Sequence, residues 1–147
     1  MTPGADREAI DILIGRFFAL FDNRTATPDL TAIYELALPE AVIIRNPGAV
    51  PETYTLPSFI APRARLLASG ELRDFVEEEL EARTDVIGHI AQRLSLYRKS
   101  GRTPGGAFTT RGVKTFQLVR TPDGWRISAM AWDDERPGLV LPDALGV

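Results

Sequence analysis

The sequence predicts an α+β domain with three helices in the N-terminal half and an antiparallel sheet after them. Three observations carry that expectation. Apolar residues recur at helical spacing as far as about residue 69. From residue 72 onward, short β-branched and apolar runs alternate with polar positions. Tight-turn dipeptides separate those runs, so consecutive strands fold back on one another as a meander beside the helices.

Residues 6 to 22 place Ile10, Leu13, Ile14, Phe17, Phe18 and Phe21 three and four apart, one broad helix face, with Asp6 and Glu8 at the positive helix end. Thr27-Pro28-Asp29 opens a second, short helix, because threonine caps and proline is tolerated in a first turn. Leu30, Ile33, Tyr34 and Leu36 form its buried side, and Pro39 ends it. AVIIRN, residues 41 to 46, reads as a strand stopped by Asn46-Pro47-Gly48. After a proline-punctuated loop, residues 57 to 69 read as the third helix, with Phe59, Ile60, Leu66 and Leu67 inward and Gly70 closing it. Residues 72 to 87 read as a strand, although Glu77-Glu78-Glu79 carries helix propensity that would prolong the third helix. Gly88-His89 makes a tight turn, residues 90 to 98 return, SGRTPGG makes a longer turn, and residues 109 to 120 return again. Thr121-Pro122-Asp123-Gly124 is a type I turn signature, and residues 125 to 133 complete the meander. Residues 136 to 147 read as an irregular arm on a single domain spanning 1 to 147.

Bulk properties exclude several function classes. The net charge of -3 and pI near 5.2 leave no electrostatic footprint for DNA or RNA. With no cysteine, disulfides and thiolate metal sites are excluded. The lone histidine, His89, falls in a turn, so no histidine metal site and no cofactor is expected. Acids precede the first apolar stretch and no apolar run approaches the roughly 20 residues that span a bilayer. A cytoplasmic protein without membrane or nucleic-acid partners is the expectation.

Four strings resemble the NTF2-like superfamily, in its SnoaL-like and ketosteroid isomerase-like branch: GRFFALFDNR, AVIIRNPG, GHIAQRLSLY and FQLVRTPDGWRISAMAW. The resemblance runs to about residue 135, and the last string, with its Asp-Gly turn and Gly-Trp-Arg-Ile, is the most specific. It implies a cystatin-like cone, a curved antiparallel sheet packed on the helices around a pocket. It also implies a homodimer through the convex sheet face. Members include isomerases, dehydratases, cyclases and epoxide hydrolases as well as subunits that only bind or assemble, so the fold assigns no chemistry. The isomerases use a helix-one tyrosine, a carboxylate base before a proline and a second acid on a late strand. Those positions carry Phe17, Asn46 and Phe116 here, which cannot donate or accept the required protons. Isomerase chemistry of that type is disfavoured.

Strand alternation supplies the candidate site. Counting from the 121 to 124 turn puts Trp125, Ile127, Ala129, Ala131 and Asp133 on one face, the more apolar one, which is assigned to the interior. Lys114, Phe116 and Leu118 then face inward on the preceding strand, and Ile90, Gln92, Leu94 and Leu96 on the one before. Gln92, Lys114 and Asp133 would form a small polar cluster in an apolar cone, with Asn46 adding an amide and Asp133 the candidate acid or base. Ala129 and Ala131 would leave room for a ligand or for Phe17 and Phe21, and Tyr54 would cover the mouth. On the other face, Ala91, Ser95, Tyr97, Val113, Met130 and Trp132 are too apolar for a solvated sheet, which marks a partner. Glu77, Glu79 and Glu81 share one side and are expected to be solvated. The leading reading is a pocket protein that binds a small, largely apolar molecule. The alternatives are a lyase, isomerase or cyclase acting on an aromatic or polyketide-like substrate through Asp133, or a non-catalytic assembly subunit.

Overall fold

The computed structural model describes residues 3 to 145. Helix α1 spans Pro3–Ala19, a single 3-10 helix spans Leu30–Glu35, and helix α2 spans Leu56–Ala68. The strands are β1 (Ala37–Arg45), β2 (Glu52–Tyr54), β3 (Arg73–Ile87), β4 (Ile90–Thr103), β5 (Gly106–Thr121) and β6 (Gly124–Asp134). All six join one curved sheet in the order β2-β1-β6-β5-β4-β3, and the helices pack on one face of it. The architecture is α+β, as the helix-then-meander pattern predicts.

Local chemistry explains most of these elements. Buried Ile10, Leu13, Ile14, Phe17 and Phe18 follow the 3.6-residue period and form the seam of α1 on the sheet, which Phe21 continues just past the helix end. Asp29 caps the 3-10 helix by accepting from the Thr31 amide. The Thr55 and Ser58 side chains cap α2 reciprocally. Pro104-Gly105 is a two-residue hairpin, with Thr103 facing Gly106 and the glycine at φ +118°, a conformation that penalises any Cβ. This turn is tighter than the SGRTPGG loop expected, so β4 and β5 run longer than predicted. β1 starts at Ala37, four residues earlier than predicted, and lies parallel to β6, not in the meander. The proline-rich loop contributes the extra strand β2. The acidic segment is strand, not a helix extension.

Two β-bulges decide which residues face the helices. In β3, Glu79 pairs with Tyr97 and Glu81 with Leu96, so Leu80 is an inserted residue. In β6, Ile127 pairs with Leu118 but Ala129 pairs with Gln117, so Ser128 is inserted. An extra residue reverses every side chain beyond it. Trp125 and Ile127 therefore point toward the helices as expected. Past the bulge, Met130, Trp132 and Asp134 point inward, and Ala129, Ala131 and Asp133 point out.

β4 also turns the face opposite to the one predicted. Ala91, Arg93, Ser95 and Tyr97 are buried beneath the helices, while Ile90 and Gln92 are exposed. Leu94 and Leu96 face outward with them. Leu96 is nonetheless fully buried, because the C-terminal arm crosses the outer face above it. The Arg111 guanidinium of β5 donates to the Pro142 carbonyl and the Leu145 amide donates to Glu81 of β3, with Leu141 buried between these anchors. Positions 146 and 147 of the expected arm lie outside the described residues. Among the described residues no helix is long and apolar enough to cross a membrane.

Candidate functional site

A cavity of about 260 Å³ opens between α1, α2 and the concave sheet face. Helical spacing supplies much of its apolar wall: Phe17 lies on α1 and Phe21 in the turn just past its end, and Phe59, Leu66 and Leu67 lie on one side of α2. Leu72 and Phe75 close the β3 end, Phe108 reaches in from β5, and Met130 and Trp132 form the floor on β6. The rings interlock edge to face, with Phe21 to Phe59 at 6.1 Å and Phe59 to Trp132 at 6.2 Å between centroids.

Charged groups break this apolar surface at defined points. Arg45, Arg63, Lys99 and Lys114 line the cavity against a single lining carboxylate, Glu77. Lys114 is buried, its Nζ 3.4 Å from Glu77 Oε1 and 4.2 and 5.0 Å from the ring centres of Tyr97 and Trp132. Burial pulls the Lys114 ammonium below its usual pKa, with Glu77 opposing. Lys99 is held by Asp134 at 2.8 Å, and Asp134 also accepts from the Tyr97 hydroxyl at 2.5 Å. Burial and the Asp134 carboxylate together push the Tyr97 phenol well above its usual value, so Tyr97 acts as a fixed donor. Gly112 makes that contact possible. A Cβ there would stand 2.6 Å from the Tyr97 ring end and 2.7 Å from Asp134 Oδ1.

Arg63 is held differently. Its guanidinium stacks 4.0 Å from the Phe59 ring centre, 5.0 Å from Tyr54 and 5.4 Å from Trp132. Nη1 donates to the carbonyl of Phe59 in its own helix at 3.2 Å, and the Tyr54 hydroxyl lies beside it. Burial lowers its pKa, but guanidinium remains charged at any physiological pH. Among the described residues no carboxylate comes within ion-pair distance of it.

Of the residues expected at the site, the cavity contains Phe17, Phe21 and Lys114. Phe116 faces the helices but packs under Phe17 at 5.4 Å, and Ile127 is buried in the core, so neither reaches the cavity wall. The other placements are corrected. Asp133 sits on the outer face, engaged by Arg136, and Lys114 pairs with Glu77 in its place. Gln92 points outward to Asp85, and Leu94, Ala129 and Ala131 share that outer face. Asn46 spends its amide on the Trp132 carbonyl. Tyr54 touches the site only through Phe59 and Arg63, with its hydroxyl donating to Glu52. Glu77 and Glu79 are not solvated: they face inward onto Lys114 and Arg93, and the Leu80 bulge sends Glu81 outward. Tyr97, Ser95, Met130 and Trp132, assigned to the partner face, lie inside. A signal for Met130 and Trp132 was present. Trp125, Ile127, Met130 and Trp132 are spaced two, three, two, and the odd step marks an inserted residue.

Among the described residues no group of three or more acidic, histidine or cysteine side chains is placed to hold a metal ion. No protein-family profile and no curated protein sequence matches the chain. Solved structures match it over nearly its whole length. An NTF2-like superfamily protein from Salmonella enterica superposes with a TM-score of 0.76 at 15% identity, covering 99% of this chain and 98% of that one. A Novosphingobium aromaticivorans protein provisionally named an aromatic ring hydroxylase superposes with a TM-score of 0.75 at 20% identity, over 93% and 94% of the two chains. An NTF2-like protein of cystatin-like fold from the same organism gives 0.67 at 21% identity, over 87% and 80%. The chain has the NTF2-like, cystatin-like fold.

Proposed function

We propose that the protein binds one small, largely apolar aromatic molecule in the cone. The supporting observation is the cavity itself: walls of aromatic and aliphatic side chains with a few polar groups converging on it. Its volume, about 260 Å³, is just under the roughly 300 Å³ at which drug-sized sites begin, which suits a ligand of one or two rings. The provisional name of the Novosphingobium neighbour agrees in pointing to an aromatic compound. Asp133 has no part in this reading, because its carboxylate is on the far side of the sheet.

Tryptophan fluorescence tests the proposal. Trp132 lines the cavity, whereas Trp125 is buried elsewhere and donates to Asp6. Aromatic fragments are expected to change the emission of the Trp125→Phe variant and leave that of Trp132→Phe unchanged. Failure of a broad fragment panel to bind below about 1 mM would sink the reading.

We also infer a homodimer through the outer sheet face. Its support is the apolar outward set Val42, Ile44, Ala129, Ala131 and Leu94, next to the region the arm already covers. Size-exclusion chromatography with light scattering is expected to give twice the chain mass at micromolar concentration. A monomer there refutes it.

A further inference from the structure

We propose that the molecule held in the cavity is an aromatic carboxylate, and that Arg63 receives its carboxyl group. This rests on the binding reading above and adds the ligand's charge. The cavity's charge is lopsided, with four cations and one carboxylate among its lining side chains. Three of those cations have a carboxylate within ion-pair distance. Lys114 faces Glu77, Lys99 holds Asp134, and Arg45 donates to the Pro47 carbonyl and reaches Glu52 at 3.4 Å. Arg63 alone has no carboxylate within ion-pair distance among the described residues.

Arg63 is half-buried, so part of its hydration is already lost without a counter-charge to replace it, and an anion would complete it. Its geometry states what kind. The guanidinium lies 4.0, 5.0 and 5.4 Å from the ring centres of Phe59, Tyr54 and Trp132, and with the Phe59 carbonyl and the Tyr54 hydroxyl as its partners further N–H donors of the fork remain for a ligand. A planar fork set among aromatic rings matches a planar two-oxygen acceptor, and a ring attached to that carboxylate would lie against the same aromatic walls. Lys114 lies against the same indole, 5.0 Å from its centre, but is already paired with Glu77, which leaves Arg63 as the lining cation without a carboxylate among the described residues. Arg63 is the specificity determinant in this scheme.

Matched pairs of ligands test it: benzoate, 2-naphthoate and biphenyl-4-carboxylate, each against its neutral carboxamide, titrated calorimetrically into the full chain. The acid of the best-fitting ring is expected to bind at least about 10-fold more tightly than its amide, the scale of one charged hydrogen-bonded contact. Arg63→Met keeps the apolar stem and is expected to abolish the preference for acid over amide. Arg63→Lys, which keeps the charge but loses the fork, should restore only part of the preference. Equal binding of acid and amide by the unaltered protein overturns the carboxylate assignment and leaves the binding reading standing. A preference that survives in Arg63→Met overturns the role of Arg63. If no member of any pair binds, both readings fall together.

Discussion

Deletion of Ala131 is expected to destabilise the fold by at least about 2–5 kcal/mol, while deletion of Ser128 is expected to be tolerated. The Ser128 side chain does little, being half-buried with one bond to the Gln117 carbonyl. Its backbone is the inserted residue that lets β6 carry Trp125 and Ile127 inward on one side and Met130 and Trp132 inward on the other. Removing it spaces those four side chains two, two, two, so a regular strand keeps all of them on the inner face. Removing Ala131 has no such solution. If the bulge persists, Trp132 leaves the core and Asp134 loses Tyr97 and Lys99. If the bulge closes, Trp132 stays but Ala129 takes the inward place of Met130. Circular dichroism and denaturant unfolding measure both results. A Ser128 deletion that fails to fold, or an Ala131 deletion as stable as the unaltered protein, would refute the register assignment.

Arg93→Met is expected to destabilise the fold by about 3–5 kcal/mol, the usual cost of removing one partner of a buried ion pair. The Arg93 side chain is only 5% exposed and bonds both oxygens of Glu79, at 2.5 and 3.1 Å. It also donates to Thr84 Oγ1, and Ser95 completes the cluster on Glu79. Without the guanidinium, Glu79 is left beneath α1 with only the Ser95 hydroxyl. The further bond to Asp11 adds little, because that carboxylate is 57% exposed. Replacing both residues, Arg93→Met with Glu79→Leu, should recover much of the loss, since an apolar pair of similar volume needs no charge compensation. Denaturant unfolding supplies the three free energies. A loss under about 1 kcal/mol for Arg93→Met would show that water reaches Glu79 and that the cluster is not closed.

These two results bear on the site through one mechanism. The same sheet face that packs on α1 carries the cavity floor, so the charges on it must be neutralised in pairs. Arg93 with Glu79, Lys114 with Glu77 and Lys99 with Asp134 each link neighbouring strands or cross to the next one. A lining of this kind keeps the cone open by polar contacts where large apolar residues would otherwise fill it. Arg63 stands outside that scheme, which makes it the group most available to a ligand.

How much was legible in advance differs by scale. Helix positions, turn positions and the existence of each meander strand followed from spacing and turn chemistry, which act over a few residues. Phe17 and Lys114 line the cavity from regular stretches, Phe17 within the unbroken helical period of α1 and Lys114 on the regular part of β5, within reach of the Thr121–Gly124 turn, and Phe21 follows just past the helix end. The interior of β4 departs from the pattern of its sequence for a different reason. Leu94 and Leu96 look like core, and Arg93, Ser95 and Lys99 look like surface, until Glu79 and Asp134 are known to face them and the arm to cover Leu96. The side of β6 past Ser128 departs from simple alternation because alternation carries no record of where a residue has been inserted. The chain alone thus determined the elements and their order. Tertiary packing decided their phase, since a single unpaired residue exchanges the two faces of a strand and only the neighbouring strand and the helices settle which face is buried.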